Sequence, residues 1–535
     1  MTMRNPNPRA ADAPRATRRQ GTGVSPTAAF AMGILTAVLG GFALTNLSMN
    51  TERVFFLTVL VAFLLILLSA WYVGWRRAGK NWLAPFPVFV MGFGLYALAH
   101  PLNLALDLPI FDVRISHLYD LGLNEKVMLI YLGSFLAFLV GYATSIGARL
   151  VPRLRFIPAG WNVFRLKLST SFFLAAGVGL YAVFLYRVGG LNSFLGASYA
   201  EKHAMMDGLG PFVSGYILVQ LAVIFLFFHA LRNRSRKSIW LLWGLILSLY
   251  VLFASSVGKR LMLIVIVTTC MVGYNYCVKQ LTWKPLVAVG VTVFSIMLVI
   301  RVTRNLQSYS TQERLNVAEN VIVSVNSAQF NPASFEFGGP FIACLDVIAY
   351  IDGTGDYLYG ASYGTALLNQ IPRMLYEDRP VGTLEWYLVK FYRSVWETGG
   401  GLSFSPIAEA YMNFGWAGPL LIFFLVGIVV KFLSHFLTVY PKSPPIVLVY
   451  GVSLFFFVYM HRLDTESILK MMLISVLPAF LGILFSADWK QVKASATAQP
   501  TGVLLGSRRR PEAFAPGSYT ASIPARRFPP RFANQ

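Results

Sequence analysis

The chain reads as about twelve long apolar stretches, each near the roughly twenty residues that a helix needs to cross a hydrocarbon core. They lie near 27–48, 54–75, 83–105, 127–147, 168–187, 211–231, 238–256, 261–278, 285–301, 406–434, 446–460 and 468–487. The pattern predicts an all-α polytopic membrane protein with about 12 transmembrane helices. The first stretch follows Arg4, Arg9, Arg15, Arg18 and Arg19 and lacks a convincing small-residue cleavage site, so it is expected to be a retained span. Both termini then lie in the cytoplasm. This divides the chain into a basic tail (1–26), helices 1–9 (27–301), a large periplasmic loop between helices 9 and 10 (302–405), helices 10–12 (406–487) and a second basic tail (488–535).

Composition agrees. Of 535 residues, 56% are hydrophobic, 15% aromatic and only 13% charged, and mean hydropathy is +0.59. A soluble globular protein carries roughly 25% charged residues, so a soluble fold is excluded. The net charge of +22 would suggest nucleic acid if it lay on one surface, but its distribution points to the membrane. Under the topology above, about 29 Lys and Arg and 3 Asp and Glu fall inside, against about 16 and 20 outside, as the positive-inside rule requires. Arg76-Arg77 with Lys80, the group from Arg149 to Lys167, and Arg232 to Lys237 are topology anchors. The tail after 488 is rich in Pro, Ala, Ser and Arg, shows no apolar periodicity and is expected to be disordered. Cys270, Cys277 and Cys344 fit no metal or redox spacing, and no intramolecular disulfide framework is expected.

The long segment 302–405 is too aromatic and apolar for a linker, and connections of this length are usually functional or disordered. Within it, Phe337–Ile351 is apolar enough to lie along the interface or dip in as a re-entrant segment; an amphipathic surface helix fits equally well. Cations retained on this face against the positive-inside bias need a reason. Lys259 and Arg260 sit in the tight connection between spans seven and eight, and Arg301 and Arg304 share one helical face at the end of span nine. Arg373 and Arg379 flank a polar, proline-punctuated segment, and Arg462 lies in the connection between the last two spans. Guanidinium forks match phosphate oxygens; the bland alternatives are snorkelling to lipid headgroups and surface ion pairs.

Ser405-Pro406 reads as a helix start, with a serine cap and a proline at the first helical position. A continuous helix over 406–434 would be about 43 Å long, against a core of about 30 Å. It is therefore expected to break near Gly415–Gly418, leaving a short outer helix that bears Glu409 ahead of the true span. Glu409 and Asn413 share a face, and an ionisable group at a membrane boundary is a candidate for function or for complementing the helix dipole. His461, beside Arg462, is a candidate general base. Asp352-Gly353-Thr354-Gly355-Asp356 lacks the ligands of a calcium loop and reads as a Gly-rich turn. No metal constellation, Walker motif or nucleophile triad is visible, and neither a metal nor any other cofactor is expected.

Taken together, these features resemble the Wzy-type family of bacterial oligosaccharide repeat unit polymerases. Ser405 to Gly418 is similar to that family's Glu-x-Tyr-x-Asn-Phe-Gly-x-x-Gly element, here Glu409, Tyr411, Asn413, Phe414, Gly415 and Gly418. Val257-Gly258-Lys259-Arg260 resembles its turn ahead of an apolar helix, and Ile371-Pro372-Arg373 resembles an element of its large loop. Span count and loop position extend the resemblance over roughly residues 30–487, without a clear arginine-repeat signature. The resemblance implies an inner-membrane glycosyltransferase with undecaprenyl-diphosphate oligosaccharide as donor and acceptor. Such an enzyme would make O antigen, capsule or exopolysaccharide on the periplasmic face.

In such an enzyme Glu409 or His461 would deprotonate the acceptor hydroxyl. Lys259, Arg260, Arg301, Arg304, Arg373, Arg379 and Arg462 would bind the diphosphate. Tyr411, Asn413, Trp386 and Trp396 would contact sugar. Implied partners are membrane lipids and a chain-length regulator and flippase of the same pathway, and no nucleic acid. The rival readings are an O-antigen ligase, which shares the donor, and a lipid-linked sugar flippase, which would need charges buried mid-span.

Overall fold

In lipid, a spanning segment must satisfy its own backbone hydrogen bonds, and a helix does so internally. The computed structural model describes residues 51–108, 117–151, 160–197, 199–206, 208–257, 261–306, 337–371, 375–397, 400–440 and 443–488. Among the described residues the chain is all-helical, with no strand beyond one isolated bridge between Trp161 and Ala487. The principal helices are α1 (Thr51–Arg77), α2 (Pro85–Ala105), α3 (Leu121–Ala143), α4 (Val163–Arg187), α5 (Gly215–Arg232), α6 (Lys237–Val257), α7 (Leu261–Cys277) and α8 (Trp283–Leu306). After these come α9 (Gly339–Thr354), α10 (Ala361–Leu368), α11 (Thr383–Phe391), α12 (Pro406–Phe414), α13 (Ala417–Val439), α14 (Pro444–Tyr459), α15 (Thr465–Met471) and α16 (Leu477–Ser486).

Eight helical stretches among these residues are long and apolar enough to cross a membrane. They are Glu52–Arg77, Pro85–Ala105, Leu121–Ala143, Val163–Arg187, Gly210–Arg232, Ala417–Val439, Pro444–Arg462 and Thr465–Ser486. The expected twelve are counted over the whole chain, these eight over the described residues alone. Apolar stretches seven to nine form α6, α7 and α8, within which the shorter runs Lys237–Val251, Leu263–Cys277 and Trp283–Val293 are apolar, and the first stretch, the first basic tail and the second beyond Asp488 lie outside the described residues. The last span is interrupted: Pro478 lacks an amide proton and its ring crowds the preceding turn, and a π-helical turn over Met472–Val476 absorbs it.

The expected break in the tenth stretch is present. Ser405 caps α12 by accepting a hydrogen bond from the Ile407 amide at 3.2 Å, with Pro406 at the first helical position. The chain reverses through Gly415, whose φ of 56° favours glycine, and α13 begins at Ala417.

The extensive pairing of α3 with α13 organises the core. Small residues let two membrane helices approach backbone to backbone. A Cβ built on Gly141 would lie 2.0 Å from the Phe424 carbonyl oxygen, and one on Gly427 would lie 2.3 Å from that of Phe138.

Helix α9 departs from both surface readings of Phe337–Ile351. It packs against α2, α3 and α12, and Phe341, Ala343, Cys344, Leu345, Val347 and Ile348 are fully enclosed. The Phe341 ring stacks on Tyr131 at 5.3 Å. The physical reason is that a helix apolar on nearly every side, with Asp346 alone among its enclosed residues carrying a charge, has no broad face to offer water and is buried by its neighbours.

Gly427→Leu is expected to lower the unfolding temperature of the detergent-purified protein by several degrees, because overpacking a close helix contact costs about 1–3 kcal/mol. Leu421→Ala, at a side chain 54% exposed on the same helix, is the control and should change it little. Equal effects would remove the special status of the α3–α13 contact.

Candidate functional site

Helix α12 carries Glu409 into a fully enclosed position, 0% exposed. Its Oε1 accepts a hydrogen bond from the Ser362 hydroxyl of α10 at 3.0 Å, and its Oε2 accepts from the Thr465 amide at 2.7 Å. That amide is at the start of α15, where Asp464 is the cap and accepts from the Ser467 amide at 3.4 Å. Burial raises the Glu409 carboxyl to about 7; the Thr465 hydrogen bonds oppose the shift, the Asp464 charge adds to it and the Ser362 hydroxyl opposes it. Asp464, itself buried, is raised for the same first reason. Glu409 is thus a carboxyl poised near neutrality, the range that suits proton transfer.

Asn413, one helical turn on, is fully partnered. Its Nδ2 donates to Ser362 Oγ and to the Glu409 carbonyl, both at 2.7 Å, and its Oδ1 accepts from the Gly360 amide at 2.8 Å. The amides of Leu358 and Tyr359 donate to the carbonyls of Met412 and Asn413. Asn413 therefore fastens the 358–362 segment to α12, and no side-chain group of it is left to hold substrate. A second set of bonds continues the fastening: Asn369 Nδ2 donates to Glu466 Oε2 at 2.9 Å and to the Pro380 carbonyl at 3.1 Å.

Tyr411 is likewise 1% exposed, so its ring cannot stack on a sugar. Its hydroxyl donates to Asp352 Oδ1 at 2.7 Å, and Asp352 is also ion-paired with Lys126. Asp352 lies in the last turn of α9, which runs through Thr354 and ends on left-handed Gly355, so the expected glycine turn over Asp352–Asp356 is instead the end of a helix. His461 is enclosed by Phe89, Phe93, Tyr96 and Phe423, with ring centroids 5.0 to 6.2 Å away. Its Nε2 is buried without a hydrogen bond. This aromatic cage leaves the imidazole almost no exposed surface, an environment that does not favour the general-base role expected of it.

The cations divide. Arg462 lies over the Tyr459 ring at 5.0 Å, and its carbonyl accepts from the Phe404 amide, bringing it to the start of the α12 segment. Arg379 donates to the Ile371 carbonyl, and its charge reaches Glu466. Arg301 and Arg304 lie on the last turns of α8, with the helix extending to Leu306; their side chains, like the whole of Lys259, Arg260 and Arg373, lie outside the described residues. Trp386 packs against Tyr350 at 6.0 Å, whereas Trp396 is 41% exposed. Among the described residues no group of three or more His, Cys, Asp or Glu could hold a metal.

Ser362 and two charged residues of this region are not among the positions expected from sequence. Asp346 is buried in α9 and accepts from the Tyr387 and Tyr392 hydroxyls at 2.8 and 2.7 Å. A single carboxylate inside an otherwise apolar run was the available signal. Lys126, one turn into α3, had a weaker one, since a lone lysine near a span end normally snorkels.

A family model described as O-antigen polysaccharide polymerase Wzy matches residues 29–491. The chain belongs to that family. No curated protein and no solved structure matches it. Membership carries the general activity of the Wzy family, polymerisation of O-antigen repeat units by a multi-pass membrane protein. The match takes in α1 to α16, and so every Wzy-chain residue placed above.

Because the Glu409 carboxyl stands at about 7 in the fold against an ordinary 4.5, the folded Wzy chain retains a proton that the unfolded chain has released between those values. Stability then falls as pH rises through that window. Purified protein is expected to unfold at a lower temperature at pH 8 than at pH 5, with a smaller difference in Glu409→Gln, which removes the titration. An unchanged difference in the variant would assign the pH dependence elsewhere.

Proposed function

We propose that this chain polymerises undecaprenyl-diphosphate-linked oligosaccharide repeat units on the periplasmic face of the bacterial inner membrane, with both its termini in the cytoplasm. The product is O antigen, capsule or exopolysaccharide. The observation that carries the reading is the family match across residues 29–491. The enclosed Glu409, raised to about 7, supplies a group suited to the chemistry.

In the transfer, the acceptor sugar's hydroxyl oxygen bonds to the anomeric carbon of the donor while that carbon's bond to the diphosphate oxygen breaks. The electron pair leaves with the lipid diphosphate, and the hydroxyl proton passes to Glu409. Since Glu409 has no open surface, the Ser362 hydroxyl 3.0 Å from Oε1 is the route for that proton. The charge developing on the diphosphate calls for preorganised cations. Lys259, Arg260, Arg301, Arg304, Arg373, Arg379 and Arg462 are assigned to it, in an arrangement that needs no metal. A chain-length regulator and a flippase of the same pathway are its partners.

The test is the lipid-linked glycan profile of a deletion strain, resolved by membrane face and repeat number. Single repeat units should accumulate on the outer face. Units trapped on the cytoplasmic face would replace the reading with a flippase, and finished polymer left on its carrier would replace it with a ligase. Arg260→Ala and Arg304→Ala should each abolish polymer while leaving membrane insertion intact, and normal polymer from both would sink the diphosphate assignment.

A further inference from the structure

Around the reversal at Gly415, aromatic side chains project outward beside a charged pair. Trp416 is 46% exposed and Tyr359 is 79% exposed. Tyr359 also holds a positive φ of 46°, a conformation that disfavours a bulky side chain. Its ring is 6.3 Å from that of Tyr357, and Tyr357 in turn meets the Tyr411 hydroxyl. Lys126 connects these parts: it pairs with Asp352, and its Nζ lies 5.7 Å from the Tyr411 ring centroid and 6.0 Å from that of Trp416. The Lys126 and Asp352 side chains are both about one-third exposed, at 30% and 32%.

The backbone that carries Tyr359 is tied down although its side chain is open. The Tyr359 amide donates to the Asn413 carbonyl, and the neighbouring Gly360 amide donates to the Asn413 side chain. A Cβ on Gly415 would lie 3.3 Å from Tyr357. Exposed aromatic rings fixed in place, one of them against backbone strain, gain little from packing. They offer flat apolar faces, while Lys126 donates and Asp352 accepts hydrogen bonds at their edge.

A pyranose ring has the complementary chemistry, with axial C–H groups on its faces and hydroxyls around its rim. We propose that Tyr359, Trp416, Lys126 and Asp352 form a sugar-binding subsite that receives the oligosaccharide repeat unit. This rests on the polymerase reading given above and assigns the glycan side of it to residues that the sequence motif does not identify. Trp416 and Tyr359 supply the stacking faces, Asp352 accepts from a sugar hydroxyl and Lys126 donates to a neighbouring one. Tyr411, enclosed beneath them, orients Asp352 through its 2.7 Å hydrogen bond.

The probe is the repeat-unit oligosaccharide prepared by partial acid hydrolysis of the producing strain's own surface polysaccharide, titrated calorimetrically into the full-length protein in lipid nanodiscs. Trp416→Ala and Tyr359→Asn should each bind it about tenfold more weakly, in line with the loss of one aromatic contact. Asparagine tolerates the left-handed backbone, so Tyr359→Asn should keep the wild-type unfolding temperature. No binding by the wild-type protein, or equal binding by both variants, would overturn the subsite. So would loss of binding that occurs only with loss of the fold, or a Trp416→Ala defect confined to membrane insertion, which would make the ring a headgroup anchor. None of these outcomes touches the polymerase reading, which stands or falls on the deletion strain's glycan profile.

Discussion

The Glu409 carboxylate is the one group at which three stretches of chain, each also bonded to another, are tied together directly. One oxygen takes the Ser362 hydroxyl and the other the Thr465 amide, so α10, α12 and the start of α15 meet at a single buried group. Burying a carboxyl is costly unless its oxygens are occupied, and here both are. Because Ser362 also receives Asn413, and Asn413 receives Gly360, the 358–362 segment cannot move without disturbing the carboxylate. A change in the protonation of Glu409 is therefore felt at the ends of three helices at once.

The same economy of polar groups holds in α9. This helix is apolar enough to be buried among spanning helices, yet it carries Asp346, whose carboxylate is held by two tyrosine hydroxyls from the α11 region. Its Cys344 thiol is pushed by burial up to about 12 and is therefore no nucleophile at neutral pH.

Several of these features were legible in the residues. Length arithmetic required a break in the 406–434 stretch, and Ser405-Pro406 with Gly415–Gly418 located both ends of α12. Glu409 stood out because a carboxylate is expensive there. What could not be read was which apolar surfaces meet protein and which meet lipid, since both call for the same side chains. That ambiguity hid the burial of Phe337–Ile351 and of Tyr411. His461 looked chemical because histidine titrates near neutrality, but only packing reveals a cage of four aromatic rings. Asn413 looked like a ligand contact, and two of its three hydrogen-bond partners, Gly360 and Ser362, come from about fifty residues upstream, beyond any local pattern.

The backbone contact between Gly141 and Phe424 also fixes an order of events during synthesis. Helix α3 enters the bilayer with its glycine groove empty, and the segment that fills it emerges roughly 280 residues later, tens of seconds at ribosomal rates of roughly 5–20 residues per second. For that interval lipid tails, or another part of the nascent chain, occupy a notch shaped for a backbone. On that order the α3 half of the seam is inserted well before the α13 half that closes it.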